Sequence, residues 1–118
     1  MKIQGNGDCF DKHGRDFLFN NPGKNWQIVH GIVINSTDMK PMNHCWLEKI
    51  ENVEFPGGNK YSITNCVDKS NGNDVELVES LYYFVGKVQD TKKYDLEEYQ
   101  ELVNEHGTWG PWEIDCGR

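Results

Sequence analysis

The 118-residue chain lacks any apolar run near the roughly 20 residues that a membrane-spanning helix needs, so no span is expected. It also lacks a basic stripe. Twelve Lys and Arg stand against nineteen Asp and Glu, a formal net charge of -7, and the lysines are scattered among acids. Such a surface repels phosphate backbones, which argues against nucleic acid as a direct partner. No C-x2-C or H-x3-H pair marks a zinc site. Internal repeats, low-complexity tracts and interdomain linkers are missing too. The opening MKIQGNGD turns polar after Ile3 without the apolar stretch of a signal peptide, so the expected location is cytoplasmic.

What is present suits one domain spanning residues 1–118. A fold of this length buries roughly 65% of its extended surface and can hold a core without cross-links. Hydrophobic residues make up 36% of the chain and aromatics 12%. The four cysteines, Cys9, Cys45, Cys66 and Cys116, invite a disulfide reading by their even number. In a reducing compartment they read instead as thiols, most of them buried and inert.

Along the chain, DCFDKHGRDFLF (8–19) predicts a helix with Asp8 as N-cap and Phe10, Phe17 and Leu18 on one face. Gly14 within it costs about 1 kcal/mol relative to alanine, a cost that close approach of another element would explain. Residues 26–35, 42–55 and 59–68 read as strands, the last two joined at PGGN (56–59) as a hairpin. Around 78–86 the signals are mixed between strand and helix. YDLEEYQELVNEHG (94–107) is an amphipathic helix with Leu96, Tyr99 and Val103 on one face. TWGPWEID closes the chain as an extended aromatic tail. The order predicts an α+β domain, with the N-terminal helix packed on an antiparallel sheet.

One stretch asks for chemistry. GNGDCF (5–10) leads a glycine-rich loop into a helix with Cys9 in its first turn. Unpaired N–H groups and the positive end of the helix dipole favour a thiolate there, and the thiolate is the nucleophile. A nucleophilic cysteine needs a base. His13 lies one turn along the same helix and points away from its start, and His106 ends the last helix. His44 has the better context. Strand alternation puts Met42, His44 and Trp46 on one face, where desolvation would lower the histidine's pKa and keep it ready to accept a proton. Asp68 ends the next strand, where a hairpin can bring it beside His44 to fix the imidazole. Taken singly, each residue also has a structural reading: a packed thiol, a satisfied sheet histidine, a turn-forming aspartate. In order along the chain they form a Cys-His-Asp set.

That set resembles the core of the transglutaminase-like and papain-like cysteine enzymes. HCWLE is similar to the His-Ala-Trp-acidic pattern around the histidine of the transglutaminase-like group, and VDKS to the Asp-Pro-Thr/Ser stretch around its aspartate. The likeness covers about residues 5–70, with Cys45 where that group has alanine and Lys69 where it has proline. The layout of NGDCF, VHG, HCW, VDKSNG, LYY and GPW further resembles small phage or mobile-element proteins, whose location would be the host cytoplasm. The resemblance implies Cys9 as nucleophile, His44 as general base and acid, and Asp68 as orienter. It implies amide hydrolysis, deamidation or acyl transfer through a thioester, on a protein, peptide or small-molecule amide, with no cofactor or metal. Asn6, with Gln4 in reserve, would join the Cys9 N–H as oxyanion donor. His30, Trp46 and Trp112 are candidate substrate contacts, although a strand histidine and core-covering tryptophans are their structural readings.

Two rivals stand against this. Cys9, His44, Cys45 and Cys66 are all possible zinc ligands, but adjacent His44 and Cys45 point to opposite faces of a strand. Alternatively, the protein is a phage-type inhibitor that sequesters a basic host factor, with the triad serving only structure.

Overall fold

The inward face of the first element, α1 (Cys9–Phe19), buries Cys9, His13, Gly14 and Phe17, one helical stripe at spacings of four, one and three. Phe10 and Leu18 flank that stripe and are only partly buried. The structure, a computed structural model, describes residues 8–20, 23–70 and 72–117. Asp8 holds the N-cap position as expected, but its side chain makes no capping hydrogen bond.

The β-branched run after α1 forms β1 (Trp26–Ile34), and the hairpin forms β2 (Pro41–Glu54) and β3 (Lys60–Asp68). The mixed segment holds both predicted structures in succession: a short β4 (Val75–Val78), then α2 (Glu79–Gly86). An unanticipated strand, β5 (Asp90–Tyr94), precedes α3 (Leu96–His106). Its sequence DTKKY is too polar to announce a strand, and it is extended because it pairs with the edge of β1, from Ile28↔Tyr94 to Ile32↔Asp90. Asp95 and Glu98 start α3 with a reciprocal capping box, each side chain accepting the other's backbone N–H.

The strands make one antiparallel sheet in the order β4-β3-β2-β1-β5. The domain is therefore α+β. Alternation along the strands gives each face its own core. On one face Ile28, Cys45, Leu47 and Tyr94 pack with Phe17 of α1 and Tyr99 of α3. On the other, Val29, Val33, Met42, Trp46 and Cys66 pack with Tyr82 of α2. Gly31, opposite His44 in the ladder, leaves room for the Trp46 ring, which a side chain there would strike. No helix is long and apolar enough to cross a membrane among the described residues.

Gly14 shows why α1 accepts a helix-weakening residue. A Cβ at this position would lie 2.5 Å from the Tyr99 hydroxyl and 2.6 Å from the Trp109 ring, so glycine lets α3 and the C-terminal tail approach α1. Tyr99 donates from that hydroxyl to the Trp109 carbonyl at 3.0 Å. Alanine would gain about 1 kcal/mol of helix propensity but incur about 1–3 kcal/mol of overpacking. Gly14→Ala should therefore be net destabilising, by up to about 2 kcal/mol in urea unfolding; a variant more stable than the parent would show that this contact is not tight.

Candidate active site

β3 pairs with β2 only from Glu54↔Lys60 to Leu47↔Val67, so among the described residues no strand pairs with that side of β2 beyond Leu47. His44 lies in this open stretch. The alternation that places Met42, His44 and Trp46 together holds, with the His44 and Trp46 rings 5.7 Å apart. Asp68, the last residue of β3, reaches back to His44, whose Nε2 lies 2.7 Å from Asp68 Oδ2. Helix α1 packs against the opposite face of the sheet, through Cys45 and its neighbours. Its first turn nevertheless meets His44 at the open end. Cys9 acts on the ring both as a hydrogen-bonding neighbour and as a charge, and the buried Nδ1 of His44 has no nitrogen or oxygen partner. Cysteine from one face and histidine and aspartate from the other thus converge where β3 stops. All three are 0% exposed.

Asp68 is the centre of the cluster. Its Oδ2 accepts hydrogen bonds from the Tyr82 hydroxyl at 2.7 Å and from Asn73 Nδ2 at 3.2 Å, besides facing His44. Its Oδ1 accepts from the Ser70 hydroxyl at 3.2 Å. Burial alone would favour the neutral acid, but the hydrogen bond and charge of His44, with a smaller contribution from the Tyr82 hydroxyl, hold the carboxyl below the usual carboxylate range. For His44, burial opposes the charge. Its hydrogen bond to Asp68 and its contact with Cys9 outweigh burial and raise its pKa to about 9. The expectation of a neutral, pKa-lowered His44 is thereby corrected: desolvation is present, but the paired carboxylate and thiol win. At neutral pH the ring is an imidazolium. A protonated imidazole beside a thiol is the arrangement that draws the proton off sulfur.

His13, set aside on sequence because of its place one turn along α1, belongs to this site. Its Nε2 accepts the Lys69 backbone N–H at 3.1 Å, so the ring proton sits on Nδ1, which donates to the Cys9 carbonyl at 3.0 Å. Burial keeps this ring neutral, lowering its pKa against the pull of Asp68, whose Oδ1 is 3.8 Å from Nε2. His13 therefore ties the first turn of α1 to the end of β3. The i, i+4 spacing of Cys9 and His13 was the available signal. Ser70, Asn73 and Tyr82 carried none, because only the fold brings the loop after β3 and helix α2 to Asp68.

The remaining candidates fall elsewhere. Gln4 and Asn6, the expected oxyanion donors, lie outside the described residues. Trp46 is fully buried, lies tilted against Tyr82 and donates its indole N–H to Glu48 at 3.0 Å; it fills the core and has no face to offer a substrate. His30 pairs in register with Cys45, which puts it on the face opposite His44. It sits among the rings of Phe10, Trp112, Tyr94 and Tyr99, at 4.9, 5.1, 5.2 and 5.9 Å, with no partner on either nitrogen. Burial pushes its pKa down to about 3. Trp112 covers this cluster and stacks on His106 at 5.3 Å. These two are thus placed as core and cover, because the aromatic tail folds back over β1.

The four cysteines are thiols, with Cys116 the most accessible. Burial drives the Cys45 and Cys66 thiols up, away from the reactive form. No group of three His, Cys, Asp or Glu is arranged to hold a metal ion among the described residues. Comparison with known proteins finds no matching family model, no matching curated protein and no matching solved structure.

The histidines set opposite limbs of stability against pH. His44 is raised from 6.5 to about 9, so its contribution is complete below 6.5 and is lost as pH rises through about 9. His30 is lowered from 6.5 to about 3, and His13 is lowered as well. Below 6.5 the unfolded chain takes up protons that the folded chain refuses, so their contribution is lost as pH falls. Chemical denaturation across pH should show greatest stability near pH 6–7. His30→Leu should flatten the acid limb and His44→Gln the alkaline one. An acid limb unchanged in His30→Leu would assign it to other groups.

Proposed function

We propose that the chain is a cysteine-dependent acyl-group enzyme built on a transglutaminase-like or papain-like core, with Cys9 as nucleophile, His44 as general acid and base, and Asp68 as orienter. One observation carries this reading: His44 Nε2 lies 2.7 Å from Asp68 Oδ2, and Cys9 is near enough to the same ring to help raise its pKa. In this mechanism the Cys9 thiolate adds to an amide carbonyl. His44 gives its Nδ1 proton to the departing amine as the C–N bond breaks, leaving a thioester. Water or a second amine then attacks the thioester, His44 takes the proton from that nucleophile, and the C–S bond breaks to return the thiolate. The bonds from Tyr82, Asn73 and Ser70 keep Asp68 ionised throughout, so that it steadies the imidazolium without itself taking the proton.

Burial favours a second reading. Cys9, His44 and Asp68 expose no surface, as residues serving only to hold the fold would. The protein would then be a phage-type inhibitor that sequesters a host factor.

Alkylation by iodoacetamide separates the two. An enzyme whose site opens to substrate should have Cys9 modified at least ten-fold faster than the more accessible Cys116 at pH 7, with His44→Ala removing that advantage and Asp68→Asn reducing it. The advantage should fade as pH rises through about 9, where His44 loses its proton. Modification of Cys9 no faster than Cys116 in the native protein would end the catalytic reading.

A further inference from the structure

Beyond Lys49 on β2 and Asn65 on β3, neither β1 nor β4 continues, because their last pairs are Trp26↔Lys49 and Asn65↔Val78. The β2–β3 hairpin therefore projects from the sheet as a two-stranded arm, a form that is marginal in water by itself. The arm is amphipathic. Val53, Phe55, Tyr61 and Ile63 lie on one side together with Glu51, with Phe55 46% and Tyr61 54% exposed and their rings 5.0 Å apart. Phe55, Asn59, Tyr61, Ser62 and Ile63 line a concavity of about 560 Å³ there. Asn52, Glu54, Lys60, Ser62 and Thr64 lie on the other side, where Ser62 donates to Asn52 at 3.0 Å.

The arm has two open edges of different charge. The β2 edge, residues 51–54, carries Glu51 and Glu54 and no base, the Ile50 N–H being taken by the Asn25 carbonyl. The β3 edge, KYSIT at 60–64, carries one lysine and no acid. Phe55 N–H bonds to the Asn59 carbonyl, and alternation from that bond turns the backbone groups of Lys60, Ser62 and Thr64 outward from the hairpin.

We propose that the β3 edge of the arm pairs with the same edge of a second copy of this chain, antiparallel and centred on Ser62. The arrangement is self-complementary. Ser62 faces its own counterpart, Lys60 faces Thr64, and Tyr61 faces Ile63, an aromatic and β-branched pair of the kind that stabilises sheets. Five residues are open on each copy, and the far end of that opening is closed by Val78, which is 43% exposed. The pairing sets the partner's hairpin tip against Val78, on the same side of the sheet as Phe55 and Tyr61. Charge selects this contact over others. Each copy carries -7, so most approaches repel, and the β2 edges would bring four carboxylates together, whereas the β3 edges bring none.

Sedimentation equilibrium over a range of protein concentrations tests this. The expected result is a monomer–dimer equilibrium between 13.7 kDa and twice that mass, tightening as added salt screens the like net charges. Tyr61→Lys, at an exposed position that the fold does not need, should raise the dissociation constant at least ten-fold. Ser62→Pro, which removes the central outward N–H, should do the same, with far-ultraviolet circular dichroism confirming that both variants fold. A monomer at every concentration overturns the proposal. So does a dimer that Tyr61→Lys leaves intact, which would place the contact elsewhere, and so does an arm that stays monomeric yet binds an added extended peptide of unrelated sequence.

Discussion

A single buried carboxylate organises one end of this molecule. Asp68 is fully enclosed, and an ionised group there is tolerable only if it is paired and fully hydrogen-bonded. It draws four partners from three places: His44 on β2, Tyr82 on α2, and Ser70 and Asn73 in the loop that leaves β3. Each of those bonds also fixes a piece of the fold. The loop must turn where it does so that Ser70 and Asn73 can reach back, and α2 must lie against the sheet so that Tyr82 can donate. The adjacent Tyr83 does the same for a second buried carboxylate, donating to Glu48 at 2.7 Å, with Lys93 completing that site at 2.8 Å. Neighbouring phenols on α2 thus anchor the helix to two charges embedded in one face of the sheet.

The convergence of Cys9 with His44 follows from where β3 ends. A continuous sheet would keep α1 and its cysteine on one face and the His44 ring on the other. Because β3 stops at Asp68, the edge of β2 opens and the first turn of α1 reaches around to it. Neutral His13 holds that junction, donating to the Cys9 carbonyl and accepting from Lys69. Two histidines therefore stand beside one carboxylate in opposite states. His44 is charged because it bonds Asp68 directly and touches Cys9. His13 is neutral because burial penalises a second charge and its Nε2 accepts the Lys69 backbone N–H.

Much of this was legible in the residues. The helix after GNGDCF, the three β-branched or aromatic strands, the PGGN turn and the capped final helix all announced themselves, since each rests on local chemistry. So did the side of β2 that His44 occupies, because strand alternation fixes it. The charge state of His44 was not legible. Neighbouring Met42 and Trp46 argue for desolvation, and only the placement of Asp68 and Cys9 reverses the outcome. Strand β5 was equally hidden, because DTKKY is extended by pairing with β1 and has no propensity of its own to show.

The sequence by itself determined α1, the three long strands and α3, the two-faced character of β2, and the order of cysteine, histidine and aspartate along the chain. These follow from periodicity and turn chemistry, which act over a few residues. Only the tertiary structure decided that Asp68 collects bonds from Tyr82, Ser70 and Asn73, that His13 joins the site, that His30 is packed on the far face, and that Trp46 is buried beside His44. Those outcomes depend on where β3 terminates and which face each helix covers, and such facts are set by the burial of the whole chain.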